Sequence, residues 1–289
     1  METEKCRAVL WAVKTGSLTA AAEQLGYTIS GVSRMIASLE EETGVTLLRR
    51  SHGGVSPTRE CETLLPVMQE LIYQADNYAQ TAASLRGLEQ GTIVIGTSYG
   101  MYFRRLAGLI AAFEKQYPNI KFDTFAGMSS ELSAALEARR ADFCIISHRE
   151  GAFEWLSLKR DQLLIMLPKN HPLASRKALP LTVFEAEPFI ELYPGEESDN
   201  SRCLARNQVH PQTRFTCADP FAALAMVEAG LGMTMVNAVV AETLQGDAVF
   251  LPVDPPQYVD IGIAMPSAAA APPAVKRFME FVKLHREEL

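Results

Sequence analysis

The chain has 289 residues, of which 48% are apolar and 21% charged. That mix excludes a wholly disordered or collagen-like chain and supplies core material for two or three domains of roughly 100–200 residues each. The formal charge is −7, from 27 Lys+Arg against 34 Asp+Glu, so overall charge gives no attraction for nucleic acid or an acidic membrane, and such a partner must meet a local patch.

Five cysteines stand at 6, 61, 144, 203 and 217, an odd number without a C-x-x-C, which reads as a reduced, cytoplasmic chain. The start METEKCRAVL is charged at Glu2, Glu4, Lys5 and Arg7 and has no apolar signal region behind it. The apolar stretch 222–241 holds Glu228, Gly230 and Gly232 and reads as helix, turn and buried strand rather than a membrane span.

Taken in chain order, Cys6, Val9, Leu10 and Val13 mark one face of a first helix, which Gly16 and Ser17 break. A second helix is predicted at about 19–25, with Leu18, Ala21, Ala22 and Leu25 inward and Thr19 as N-cap. After a Gly26-Tyr27 turn, a third runs over about 29–43, with Val32, Met35, Ile36 and Leu39 inward and Gly44 as C-cap. Two short helices joined by a Gly-containing turn make a helix-turn-helix. Residues 46–49 then read as a strand, Gly53-Gly54 as a hairpin turn and Val55 onward as the return strand, a β-wing ended by Pro57.

A long helix follows over 58–89. Leu64, Met68, Leu71, Ala75, Tyr78, Ala82 and Leu85 step alternately by four and three, an a/d seam over three heptads that calls for a second copy of the chain. Pro66 lies inside it. From 92 to 289 apolar strand-like runs alternate with helical patterns, an α/β arrangement. Strands are predicted at 92–97, 121–126, 143–147, 163–167, 189–192, 213–217, 233–236 and 261–265, with helices at 103–117, 130–139 and 221–229 among them.

Residues 1–60 balance seven basic against seven acidic residues, yet 43–59 hold Arg49, Arg50 and Arg59 and no acid. With Arg34 on the third helix, this is a local positive patch of the kind that seats phosphates. Ser17, Thr19, Thr28, Ser30, Ser33 and Thr58 add hydroxyls near helix starts and the wing, and His52 stands at the wing tip. Thr28, Ile29, Ser30, Ser33 and Arg34 lie where a recognition helix reaches base edges, and Arg34 suits either a guanine or a phosphate. The alternative for the hydroxyls is simple helix capping.

The stretch 10–66 resembles the LysR-type transcriptional regulators. The resemblance rests on G-S-L-T-x-A-A at 16–22, S-R-x-I-x-x-L-E at 33–40, G-V-x-L-L-x-R at 44–50 and P-T at 57–58. Downstream, G-T-I-V-I-G at 91–96, N-H-P-L-A at 170–174, P-F-I at 188–190 and G-L-G-M at 230–233 extend it along nearly the whole chain. It implies a winged helix-turn-helix domain at 1–58, a linker and dimerisation helix at 59–90 and an effector-binding domain at 91–289. The last would comprise two Rossmann-like α/β subdomains, similar to periplasmic solute-binding proteins: 92–161 with 267–289, and 162–266. It further implies operator DNA and a small-molecule effector as partners, homodimers that pair into homotetramers, no cofactor and no membrane.

Ligands in such folds bind beyond the carboxyl ends of strands, where helix N-termini present free N–H groups. That places Thr97, Ser98 and Tyr99 after the first strand, Met128, Ser129 and Ser130 after the second, Ser147 and His148 after the third, and Asp219 before a helix of the opposite lobe, with Phe189 of P-F-I joining the effector set. Hydroxyls at two helix starts suit a small carboxylate, and simple capping by Ser98 and Ser129 is the alternative.

Other functions leave weaker traces. The histidines at 52, 148, 171, 210 and 285 have no metal-ligand spacing, and no phosphate loop occurs. Gly96-Thr97-Ser98-Tyr99-Gly100 fits a hydrolase nucleophile motif but coincides with the first ligand loop, so no enzyme is expected. Cys203 lies in a stretch comparable to that used by the family's peroxide sensors, which makes a thiol-responsive regulator the alternative function, although the expected second cysteine is missing.

The family has Gln where this chain has Ile29, and commonly Pro at Ser30. Gln reads adenine bidentately, whereas Ile offers only apolar contact, for instance with a thymine methyl. Ile29→Gln is expected to change the preferred operator sequence and leave the salt dependence of binding nearly unaltered, as titrations at several salt concentrations will show; a large change in that slope would count against a base-facing Ile29.

Overall fold

The computed structural model describes residues 2–51 and 53–285. The N-terminal unit consists of α1 (Glu2–Thr15), α2 (Leu18–Leu25), α3 (Ile29–Thr43) and a hairpin of β1 (Leu48–Ser51) and β2 (Gly54–Pro57). Its core takes Cys6, Val9, Ala21, Ala22, Val32, Ile36 and Leu39 from the faces that the periodicity marks, together with Ala12 and Leu47, and Leu10 and Val13 pack against it partly buried. Ser17, not Thr19, caps α2: its side chain accepts from Ala20 N, and Thr19 is exposed within the helix. The wing strand starts two residues later than predicted because Glu40 Oε1 takes the N–H groups of Leu47 and Leu48 at 2.7 and 3.1 Å, tying that segment to α3. The wing lies against the α1–α2 turn, where Val55 N donates to Gly16 O at 2.9 Å. Gly54 (φ +124°) permits this approach, since a Cβ there would stand 2.3 Å from Gly16 O.

The long helix α4 (Arg59–Ser84) is capped by Thr58. Met68 is only 6% exposed and joins the winged domain's core with Cys61 and Ile72, and Leu64 packs there too. The free apolar stripe is instead Val67, Leu71, Tyr78 and Leu85, exposed at 65, 45, 78 and 86%. Three of the seven predicted seam residues, Leu71, Tyr78 and Leu85, therefore face outward, and Leu64 and Met68 do not. Four-and-three spacing marks a stripe without saying which neighbour covers it.

The first α/β lobe is built from β3 (Gly91–Thr97), α5 (Gly100–Glu114), β4 (Ile120–Ala126), α6 (Ser129–Glu137), β5 (Phe143–Ser147) and β6 (Glu154–Pro168). The second adds α7 (Val183–Ala186), β7 (Pro188–Leu192), α8 (Asp199–Arg206), β8 (Gln212–Cys217), α9 (Pro220–Glu228), β9 (Thr234–Asn237), α10 (Ala238–Ala241) and β10 (Ala248–Pro252). The chain returns through β11 (Tyr258–Met265) and ends its described part with α11 (Pro273–Leu284).

One strand, β6, takes part in both lobes. The first half of β6 pairs with β11 over 154–162, and its second half pairs with β9 and β10 over 163–168. Only 163–167 was legible as strand; the rest is irregularly exposed and depends on β11 for its ladder. Because Ile261 to Ala264 pair with Ser147 to Cys144 of β5, the return crossing precedes Tyr258, earlier than the boundary at 266 that the sequence implies. The first lobe's core centres on Phe113, Phe143 and Phe278, and the second's on Phe184, Phe189, Leu163 and Met235. At the crossing, buried Asp161 accepts from Val239 N at 3.1 Å and so holds α10 to β6.

Asp142 is a titratable group inside the first lobe. Its Oδ2 accepts from Val94 N at 2.8 Å, and burial pushes its pKa from 3.8 to about 6. The unfolded chain thus ionises first as pH rises, so the carboxyl favours the fold at low pH and that contribution is lost as pH passes through about 6. Relative to Asp142→Asn, which keeps an acceptor and cannot ionise, the native protein is expected to lose about 3 kcal/mol between pH 3 and pH 7 in denaturant unfolding.

Candidate functional site

Two places gather the residues that the sequence singles out. On the winged domain, Tyr27, Thr28, Ile29, Ser30 and Arg34 are exposed along the start of α3, and Ile29 is 49% exposed. Thr28 caps the helix through Gly31 N and shares a hydrogen bond with Ser30 Oγ. Arg34 Nε donates to Ser30 O at 3.4 Å. Arg49 and Arg50 are exposed on β1, and Arg50 donates to Ser33 Oγ at 3.0 Å, which links the wing to α3. The wing and the start of α3 therefore carry three exposed guanidinium groups near a capped helix start, charges suited to phosphates.

The second place is the cleft between the lobes, a small cavity of about 80 Å³. From the first lobe come Ser98, Tyr99, Met128, Ser129 and Arg149; from the second, Tyr193, Asp199, Asn200 and Asn237. Ser98 Oγ and Ser129 Oγ share a hydrogen bond of 2.8 Å, and Ser147 N donates to Ser129 Oγ at 3.2 Å. The Arg149 side chain is 8% exposed and the Asp199 side chain 12%, with Arg149 Nη1 3.4 Å from Asp199 Oδ1. Tyr99 OH donates to Asp199 Oδ2 at 2.6 Å, and Asn237 Nδ2 donates to the same oxygen at 3.3 Å. Arg149 also donates to Ser147 Oγ and to Glu197 O. Burial lowers the Arg149 pKa against the pull of Asp199, and burial followed by the Asp199 charge raises that of Tyr99.

Residues 3–62 match the bacterial regulatory helix-turn-helix protein, lysR family, and residues 86–286 match the LysR substrate binding domain. The chain belongs to the LysR family of transcriptional regulators. HTH-type transcriptional regulator YvbU of Bacillus subtilis (strain 168) is 32% identical to this LysR-type regulator over 278 residues, covering 93% of this chain and 94% of that protein. Two solved structures share the fold. A full-length OxyR variant from Pseudomonas aeruginosa superposes with a TM-score of 0.75 at 18% identity, covering 100% of this chain and 94% of that one. Full-length CbnR complexed with target DNA gives 0.63 at 21% identity, covering 98% and 99%. The families and relatives are regulators, not enzymes. In keeping with that, Ser98 of the hydrolase-like motif has Ser129 as its hydroxyl partner.

Several sequence-based assignments in this LysR-type regulator need correction. Thr58 is 5% exposed and committed to Thr46 O and Cys61 N, so it holds the wing to α4 and does not face DNA. His52 lies outside the described residues. Thr97 is 1% exposed and braces the Tyr99 backbone, and Phe189 packs on Phe184 in the second core. Asp219 caps α9 through Ala222 N, leaving the neighbouring Pro220 to line the cleft. Ser147 is wholly buried behind Ser129, and Ser130 Oγ is buried without a hydrogen-bond partner among the described residues. Cys203 is 3% exposed and donates to Gln257 Oε1; burial raises its pKa and disfavours the reactive thiolate. Among the described residues no His/Cys/Asp/Glu cluster could hold a metal, and no helix is long and apolar enough to cross a membrane.

Sequence reasoning missed Arg149, Asp199, Asn200 and Asn237. The available signal was Ser198, whose side chain caps α8 through Ser201 N and so puts Asp199 and Asn200 on a helix start. Removing one partner of a buried ion pair leaves the other charge uncompensated. Asp199→Ala is therefore expected to destabilise the protein by about 3 kcal/mol, and adding Arg149→Met to recover most of the loss, as chemical unfolding of the single and double variants will show.

Proposed function

We propose that this regulator binds operator DNA sequence-specifically as a dimer and responds to a small carboxylate seated between its effector lobes. The observation that carries the effector reading is the paired hydroxyls of Ser98 and Ser129 at the N-terminus of α6, facing a cleft that also holds the buried guanidinium of Arg149. Hydroxyls, helix-start N–H groups and a cation converge there as a carboxylate requires. The small volume favours a ligand of few atoms.

The exposed stripe of Val67, Leu71, Tyr78 and Leu85 on α4 supports the dimer, each copy covering the other's stripe. Each dimer then presents two α3 helices and two wings to successive major-groove segments of an interrupted palindrome. Effector lobes pair again to give tetramers, and the place of action is the cytoplasm, where operators lie. Ligand binding shifts the equilibrium between lobe arrangements and with it the spacing of the DNA-facing units. The buried state of Cys203 gives the thiol-switch reading no comparable support.

Calorimetry with a panel of small carboxylates tests the cleft. Ser98→Ala and Ser129→Ala are each expected to weaken the bound acid at least tenfold, and unchanged affinity in both removes these residues from the site. Tyr78→Glu is expected to shift the protein from dimer toward monomer in sedimentation and to weaken operator binding in parallel; an intact dimer would show that α4 is not the seam.

A further inference from the structure

The helix α6 runs from the cleft to the long helix α4. Its first residue is Ser129, which lines the cleft, shares a hydrogen bond with Ser98 Oγ at 2.8 Å and accepts from Ser147 N at 3.2 Å. Leu132, Ala135 and Leu136 seat the middle of the helix in apolar packing on the sheet. Its last residue, Glu137, lies about 12 Å along the axis at 1.5 Å per residue, and the chain continues through Ala138 to Arg139.

The end of α6 is a Schellman motif: Arg140 N donates to Ala135 O at 2.8 Å, and Arg139 N donates to Leu136 O at 3.1 Å. Such a motif puts one residue in the left-handed region, where glycine is usual; here that residue is Arg139, at φ +53°. A side chain held in that conformation is strained and persists where its surroundings over-determine it. The contacts that hold Arg139 lie on α4. Its Nε donates to Glu70 Oε2 at 2.9 Å, and its guanidinium stands 5.0 Å from the centre of the Tyr73 ring. On another face of the same turns, Met68 and Ile72 are buried in the winged domain's core, and Asp76 pairs with Arg7 of α1. Arg139 therefore grips a helix that is itself anchored in the winged domain. A second polar tie from α4 to the first lobe, Asn77 Nδ2 to Ala270 O at 3.3 Å, leaves from the segment before α11 and does not involve α6.

We propose that Arg139 is a positioning residue that passes the state of the cleft to the winged domain, through α6 at one end and Glu70 and Tyr73 of α4 at the other. A hydrogen-bonded helix keeps its length, so a shift at Ser129 reappears at Arg139. The proposal rests on the reading of the cleft as an effector site and of the winged domain as the operator-binding unit.

A double-mutant cycle tests it, on duplexes selected from a random pool by the wild-type protein. Asp199→Asn breaks the ion pair that spans the cleft and is expected to change the Kd for such a duplex at least fivefold. In an Arg139→Gly background that change should fall below twofold, and Glu70→Ala should do the same from the other side of the contact. Asn77→Ala, which loosens α4 without touching α6, should leave it at fivefold or more. Glycine suits the backbone at 139, so Arg139→Gly is expected to fold. Should Asp199→Asn fail to unfold cooperatively, Ser129→Ala takes its place in the cycle. A fivefold change retained in Arg139→Gly or in Glu70→Ala overturns the proposal, as does a cleft variant whose Kd stays within twofold of wild type. Loss of the response in Asn77→Ala as well would show a general loosening of the joint and overturn it too. Failure to select any duplex removes the operator reading itself, and the proposal falls with it.

Discussion

A guanidinium taken out of water must be neutralised, and the cost of leaving it bare exceeds that of most single contacts in a protein. Arg149 belongs to the first lobe, but its carboxylate partner, Asp199, starts a helix of the second. The buried ion pair therefore spans the two lobes. Tyr99 and Asn237 complete the arrangement by donating to the other oxygen of Asp199. On the proposed function an anionic ligand in the cleft competes with Asp199 for the same cation, so ligand charge and lobe angle are coupled without a separate relay.

The backbone makes that coupling mechanical. The strand β6 pairs in both lobes and the chain crosses back just before Tyr258, so the lobes are tied together at two places. The first lobe in turn holds α4: Arg139 Nε donates to Glu70 Oε2 at 2.9 Å and its guanidinium lies over the Tyr73 ring, and Asn77 donates to Ala270 O. On another face of the same turns α4 is part of the winged domain's core through Met68 and Ile72, and Arg7 pairs with Asp76. The long helix thus joins the effector domain to the winged domain, with mainly buried contacts on one face and polar ones on another. Exposed ion pairs contribute little energy each, which suits a joint that must be able to move.

Much of the winged domain was legible because its determinants are local. The C-cap at Gly44 and the inward series Val32, Ile36 and Leu39 are all read within one or two turns. The place of Ser98 and Ser129 at the cleft was legible for a similar reason: they follow strands and precede helices. The stripe on α4 was half misread because Leu64 and Met68 share its spacing yet turn to their own domain, and periodicity does not name the neighbour. Thr58 and Thr97 carry the hydroxyls that a binding site needs, but both are spent on backbone contacts.

What the sequence by itself determined is the order of units, the LysR-type character of the chain, the polar start of α3 around Ile29 and Arg34, and the serine-bearing loops. Those depend on short-range patterns of capping, periodicity and charge. Only the tertiary structure decided that Arg149 meets Asp199, that β6 spans both lobes, and that Arg139 meets Glu70. Each is a pairing of residues far apart in the chain, chosen by how whole sheets and helices pack, and no local pattern encodes it.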